Sequence, residues 1–132
     1  MLHKVFPDKE RAKSIITMAF DREKFLISAK IDYQNIIIEN YYEIIKELAS
    51  ALLLLNGLKA IGENAHKEII DSLRKYADFN DYQISILQDL RIKRNKSLYE
   101  GEQVDLEYLK GKKEILNLVI DKLKNLLADK LK

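Results

Sequence analysis

The chain has no cysteine and no tryptophan, and only one proline and four glycines among its 132 residues. Without cysteine there can be no disulfide, no thiolate zinc site and no cysteine nucleophile. The two histidines, His3 and His66, are far apart in sequence. A His-rich metal site is not expected, nor is any other cofactor. So few chain breakers argue against an all-β fold, which needs many turn residues. Long apolar runs are also missing. The most apolar stretch, Leu48 to Leu55, is eight residues long and contains Ser50, whereas a membrane span takes ~20 residues. The opening MLHKVFPDKERAK lacks the apolar segment of a signal peptide. The expectations are a cytoplasmic location and no membrane association.

What is present is the composition of a helical domain. Apolar residues make up 47% and charged residues 33% of the chain, too balanced for a disordered or fibrous protein. Most of the abundant types, Leu, Lys, Glu and Ala, lose little rotamer freedom in a helix. The length suits a single domain covering residues 1–132. Net charge is +2 but unevenly spread: residues 32–81 carry five basic and nine acidic groups, residues 82–101 four basic and two acidic. A dedicated nucleic-acid binder is usually more basic overall. Any RNA contact must therefore be local, through residues 91–96.

Caps and breakers divide the chain. Asp8, after Pro7, is a plausible N-cap for a first helix running to about Ile31, with Ile15, Met18, Ala19, Leu26 and Ala29 at helical spacing. Asp32 marks a kink or a new cap. A second helix from about Tyr33 to Leu55 carries two neighbouring apolar stripes, one through Tyr42, Ile45, Ala49 and Leu52 and one through Ile38, Tyr41, Leu48 and Leu55. It should be buried on more than one side. Asn56-Gly57 is a helix stop. A short third helix spans about Asn64 to Ala77. A fourth runs from Asp81 to Glu100 and ends at Gly101. A fifth, capped by Asp105, reaches about Leu131 and buries Leu106, Leu109, Leu116, Val119, Leu123, Leu126 and Leu127. The predicted fold is all-α: an antiparallel bundle of about five helices.

The fourth helix, DYQISILQDLRIKRNKSLYEG, carries the most information. At about 100° per residue, Arg91, Arg94 and Asn95 fall within the arc occupied by Ile84, Leu87 and Leu98, while Lys93 and Lys96 point away. A guanidinium turned into an apolar face without a partner costs several kcal/mol. Three arrangements would resolve this: a structural network with inward carboxylates, a subunit seam, or a groove for an anion such as RNA phosphate, which the planar fork of Arg suits. Other candidates have plainer readings. His66 reads as a solvated residue at a helix start. Tyr41 and Tyr42 read as core packing more than a base-stacking platform. Glu39, Glu43 and Glu47 share one face of the second helix and read as solvated, the alternative being that they face the arginines.

Arg94-Asn95-Lys96-Ser97-Leu98-Tyr99 resembles the motif of the HEPN superfamily, in which an Arg, often followed by Asn, precedes a His by four to six residues near the end of a late helix. The stretch NYYEIIKELASALLLLNGLKA, followed by AHKEIIDSL, is similar to the family as well, and the likeness extends from about Phe20 to the C-terminus. The resemblance implies a HEPN-like homodimer whose motif helices meet in a composite cleft, with metal-independent RNA cleavage in active members and, in some, a toxin paired with a nucleotidyltransferase antitoxin. Carried over, it makes Arg94, Asn95 and Tyr99 the expected catalytic positions and Arg91, Arg94 and Lys96 the expected contacts to RNA or nucleotide. Tyr99 departs from the pattern, because it stands where the family has His. A phenol ionises near ~10 and needs activation to shuttle protons. The expectation is an RNA- or nucleotide-binding domain, weak or degenerate as a ribonuclease. The alternative is a non-enzymatic protein-interaction module of the same fold.

Overall fold

Asp8 does open the first helix. Its carboxylate accepts the Arg11 N–H at 2.9 Å, which satisfies one of the free donors of a helix start. The computed structural model describes all 132 residues and holds five helices: α1 (Lys9–Ser28), α2 (Gln34–Leu55), α3 (Ala65–Asp71), α4 (Asp81–Glu100) and α5 (Leu106–Lys130). Asn80 and Gln83 form a reciprocal capping box at the start of α4. Asp105 accepts the Glu107 N–H at 3.0 Å and caps α5. The chain is 74% helical.

α2 is the central element. It packs against α1, α3, α4 and α5, and its buried residues, from Ile37 to Leu54, lie all round the cylinder. Such a helix has no solvent side in its middle turns. α1 runs antiparallel to it: the Asp8 N–H meets Leu54 O at one end, and Arg22 meets Asn40 and Glu47 nearer the other. α4 is antiparallel as well, with Glu43 beside Arg94 and Asn35 beside Val104.

Several expectations need correction. α1 ends at Ser28, short of Ile31. The Ser28 hydroxyl donates to Phe25 O at 3.1 Å, the kind of local bond with which serine competes against helix. Asp32 lies exposed in the following turn and caps nothing; Tyr33 is the N-cap of α2 and makes no side-chain bond. The buried stripe of α1 is Ala12, Ile16 and Ala19, while Met18 is exposed. Two fully buried alanines let α1 lie close to α2, and the stripe rotates accordingly. α3 is only seven residues and gives way to a 3₁₀ turn, Ser72–Lys75. Leu98 is exposed, as the last buried residue of α4 is Arg94 and the turns beyond it border an open cleft.

The bundle also carries a small ribbon. Strand β1 (Leu2–Lys4) pairs antiparallel with β2 (Leu58–Ala60), Leu2 opposite Ala60 and Lys4 opposite Leu58. Three-residue strands show no usable alternation in sequence. Gly57 makes the junction. Its φ of +72° turns the chain out of α2, and a Cβ there would stand 2.9 Å from Val5 O.

Candidate nucleic-acid interface

The site begins with the face of α4. Ile84, Leu87 and Leu90 are fully buried, and Arg94, one turn further along the same arc, follows them inward to 8% exposure. A guanidinium at that depth needs a counter-charge. It has one: Arg94 Nη2 donates to Glu43 Oε1 at 2.7 Å, and Nη1 reaches Asn95 Oδ1 at 3.2 Å. The other Glu43 oxygen accepts Lys46 Nζ at 2.8 Å. Arg94 also stacks near two rings, 5.2 Å from the centroid of Tyr42 and 5.9 Å from that of Tyr99. Its Nε and the Tyr42 hydroxyl are buried without a hydrogen-bond partner.

Glu43 and Glu47 are thus buried, at 8% and 7% exposure, contrary to the solvated reading; only Glu39 of the three stays partly open. The reason is the central position of α2. Each carboxylate is tolerated because a cation from a neighbouring helix meets it: Arg94 from α4 for Glu43, and Arg22 Nε from α1 at 2.7 Å for Glu47. The balance differs between them. At Glu43, burial pushes the pKa up, but Lys46, Arg94 and Arg22 outweigh it and the group lies below its usual value. At Glu47, burial outweighs Arg22 and the pKa lies above. Burial raises the Tyr42 hydroxyl to about 12, against the pull of Arg94.

Above this pair an open cleft of about 300 Å³ lies between the start of α3 and the last turns of α4. His66 and Lys67 line one wall, Arg91, Asn95 and Tyr99 the other, and the 62–65 loop with Glu63 closes one side. Arg91 has no carboxylate partner. Its Nε donates to Gln88 Oε1 at 2.8 Å, and Gln88 is itself tied to Lys67 O and Asp71 Oδ1. The guanidinium is held in place with its charge unneutralised. Tyr99 is 72% exposed and stands at the mouth, not packed against the helix end.

His66 is the residue that sequence reasoning undervalued. It is half-buried, with its ring centroid 6.2 Å from that of Tyr42. Burial, and then the charges of Lys46, Arg94 and Arg91 against that of Glu43, hold its imidazole below the ordinary value. The signal was the His66-Lys67 pair at the head of the short helix. Taken alone, a helix-start histidine looks solvated. Of the residues singled out on α4, the cleft gathers Arg91, Asn95 and Tyr99; Arg94 lies beneath it, engaged with Glu43; and Lys96 is exposed outside it. Tyr41 and Tyr42 are core residues, the former donating to Asn117 Oδ1 at 3.0 Å.

A second concavity, of about 210 Å³, lies between α1, α2 and β2 and is mostly apolar, with Arg11 and Lys59 at its rim. No three acidic or histidine side chains converge anywhere in the chain, and no helix is long and apolar enough to cross a membrane. No protein-family model, curated protein or solved structure matches the chain.

Proposed function

We propose that this is a HEPN-like domain that binds RNA or a nucleotide in the α3–α4 cleft and acts as a homodimer, in the manner of a weak or degenerate ribonuclease toxin with a nucleotidyltransferase antitoxin as partner. The observation that carries the reading is Arg91: a pre-positioned guanidinium without a carboxylate, facing His66 and Lys67 across a cleft that also presents Asn95 and the open ring of Tyr99. A phosphate matches the cations. A base or sugar matches the amide and the ring. The dimer is supported by the side of α4 next to the cleft, where Ile92 and Tyr99, about two turns apart, are both exposed. An apolar edge there suits a second copy of the same helix.

The test is the binding of fluorescent single-stranded RNA by the wild type, Arg91→Ala and Asn95→Ala, at two salt concentrations. Arg91→Ala, which loses a phosphate contact, should weaken binding about tenfold and lower the salt slope by about one, whereas Asn95→Ala should weaken binding with the salt slope unchanged. No binding by the wild type removes the reading. Arg91 is the better target, because Arg94→Ala also breaks a buried ion pair.

The second reading, a non-enzymatic interaction module, is favoured by a different observation: Arg94, the motif arginine, is already occupied by Glu43. It predicts stable self-association that Tyr99→Ser disrupts, with no affinity for RNA.

A further inference from the structure

We infer that His66, from the opposite wall of the cleft, supplies the imidazole for proton transfer in cleavage of single-stranded RNA. This rests on the RNA reading above. Three observations carry it. His66 lines the same cleft as Arg91, Asn95 and Tyr99, although it comes from α3 and they from α4. It is the only histidine there; His3 lies on the exposed strand β1. And the groups facing it make its state specific. From α2 these are Tyr42, Glu43 and Lys46, and from α4 Arg91, Arg94 and Tyr99. Lys67 and Glu63 lie beside it on its own side of the cleft. Three of these cations, together with burial, keep the ring uncharged at neutral pH. A neutral imidazole is the form that can accept a proton. The phenol of Tyr99 lacks that property near neutrality without activation.

The step balances without metal or co-reactant. With the phosphodiester held by Arg91 and the sugar or base beside it by Asn95, the adjoining 2′-hydroxyl attacks phosphorus. The O2′–P bond forms and the P–O5′ bond breaks, leaving a 2′,3′-cyclic phosphate on one fragment and a 5′-hydroxyl on the other. The 2′-hydroxyl proton passes to His66, and the departing O5′ takes a proton from water at the open mouth.

The experiment measures binding, cleavage rate from pH 5 to 8 and product ends for one labelled RNA oligonucleotide, with wild type, His66→Gln, His66→Ala and His3→Gln. His66→Gln should bind within a few-fold of wild type and cleave at least ~100-fold more slowly. His3→Gln should keep the wild-type profile. The wild-type rate should fall in acid, with a midpoint below the ordinary imidazole value, and with no such limb in His66→Gln. Added imidazole should restore part of the His66→Ala rate, which a merely structural role would not allow. RNA that binds without being cleaved by the wild type, or His66→Gln cleaving with the wild-type pH profile, overturns this inference and leaves the binding site standing. Failure of the wild type to bind RNA overturns both.

Discussion

Arg94 and Glu43 stand 51 residues apart in sequence and share a 2.7 Å hydrogen-bonded ion pair inside the bundle, joining α4 to the central helix. Both side chains are about nine-tenths buried. Removing one partner of such a pair strands the other's charge, at a typical cost of ~3–5 kcal/mol. Lys46 still reaches Glu43, so Arg94→Ala should fall at the low end, about 3 kcal/mol, in urea unfolding. The double variant Arg94→Met with Glu43→Leu should lose less than Arg94→Ala alone, because the charge it leaves unpaired is that of Lys46, which is more exposed than Glu43. An Arg94→Ala protein as stable as wild type would show that the pair contributes nothing.

The Tyr42 hydroxyl is buried and makes no hydrogen bond. Tyr42→Phe therefore removes a desolvated polar group and keeps the ring that packs on Arg94. Stability should be unchanged or should rise by up to about 1 kcal/mol. A drop in Tm would mean the hydroxyl is held by a partner.

Acid should weaken the fold in two stages. His66 has its pKa lowered in the folded state, so below about 6.5 the unfolded chain binds more protons and stability falls. Glu43 is also lowered; its contribution is complete above its unfolded value of 4.5 and is lost as the pH falls further. Glu47, which is raised, works the other way: it favours the folded state as the pH drops through the range just above 4.5. Urea midpoints across pH 2.5 to 7.5 should show the upper fall vanish in His66→Gln and the lower one shrink in Glu43→Gln.

Gly57 and Gly101 both have positive φ, +72° and +68°. An alanine at Gly101 meets open space and pays only backbone strain, ~1 kcal/mol. At Gly57 the new Cβ would also press on Val5 O, and the Val5 N–H donates to Gly57 O at 2.9 Å to tie the N-terminal ribbon to the end of α2. Gly57→Ala should therefore cost clearly more than Gly101→Ala in thermal unfolding. Equal losses would mean that Val5 gives way freely.

Much of the architecture was legible because its signals are local. Asp8 and Asp105 cap where they stand, Gly57 and Gly101 end helices, and the burial of α2 on more than one side was readable from its two apolar stripes. The inward turn of Arg94 could be read from its angular position among Ile84, Leu87 and Leu90. The errors arose where a residue's surroundings come from elsewhere. Glu43 and Glu47 look like solvated charges on their own helix, and only the arrival of Arg94 and Arg22 makes their burial tolerable. Leu98 fits the apolar arc of α4, yet it is 46% exposed, because the start of α3 meets this end of α4 across an open cleft instead of packing on it. The ribbon of Leu2–Lys4 and Leu58–Ala60 joins segments 56 residues apart.

The amino-acid sequence by itself determined that there are five helices, the caps at Asp8 and Asp105, the stops at Gly57 and Gly101, and that the second helix is buried on more than one side, since capping, glycine geometry and 3.6-residue periodicity act within a few residues of chain. Only the tertiary structure decided that His66 faces Arg91 and Asn95 across a cleft, and that Arg94 is committed to Glu43 beneath it. Both relationships join helices distant in sequence, and they depend on how α3 and α4 pack on α2, which no local pattern encodes.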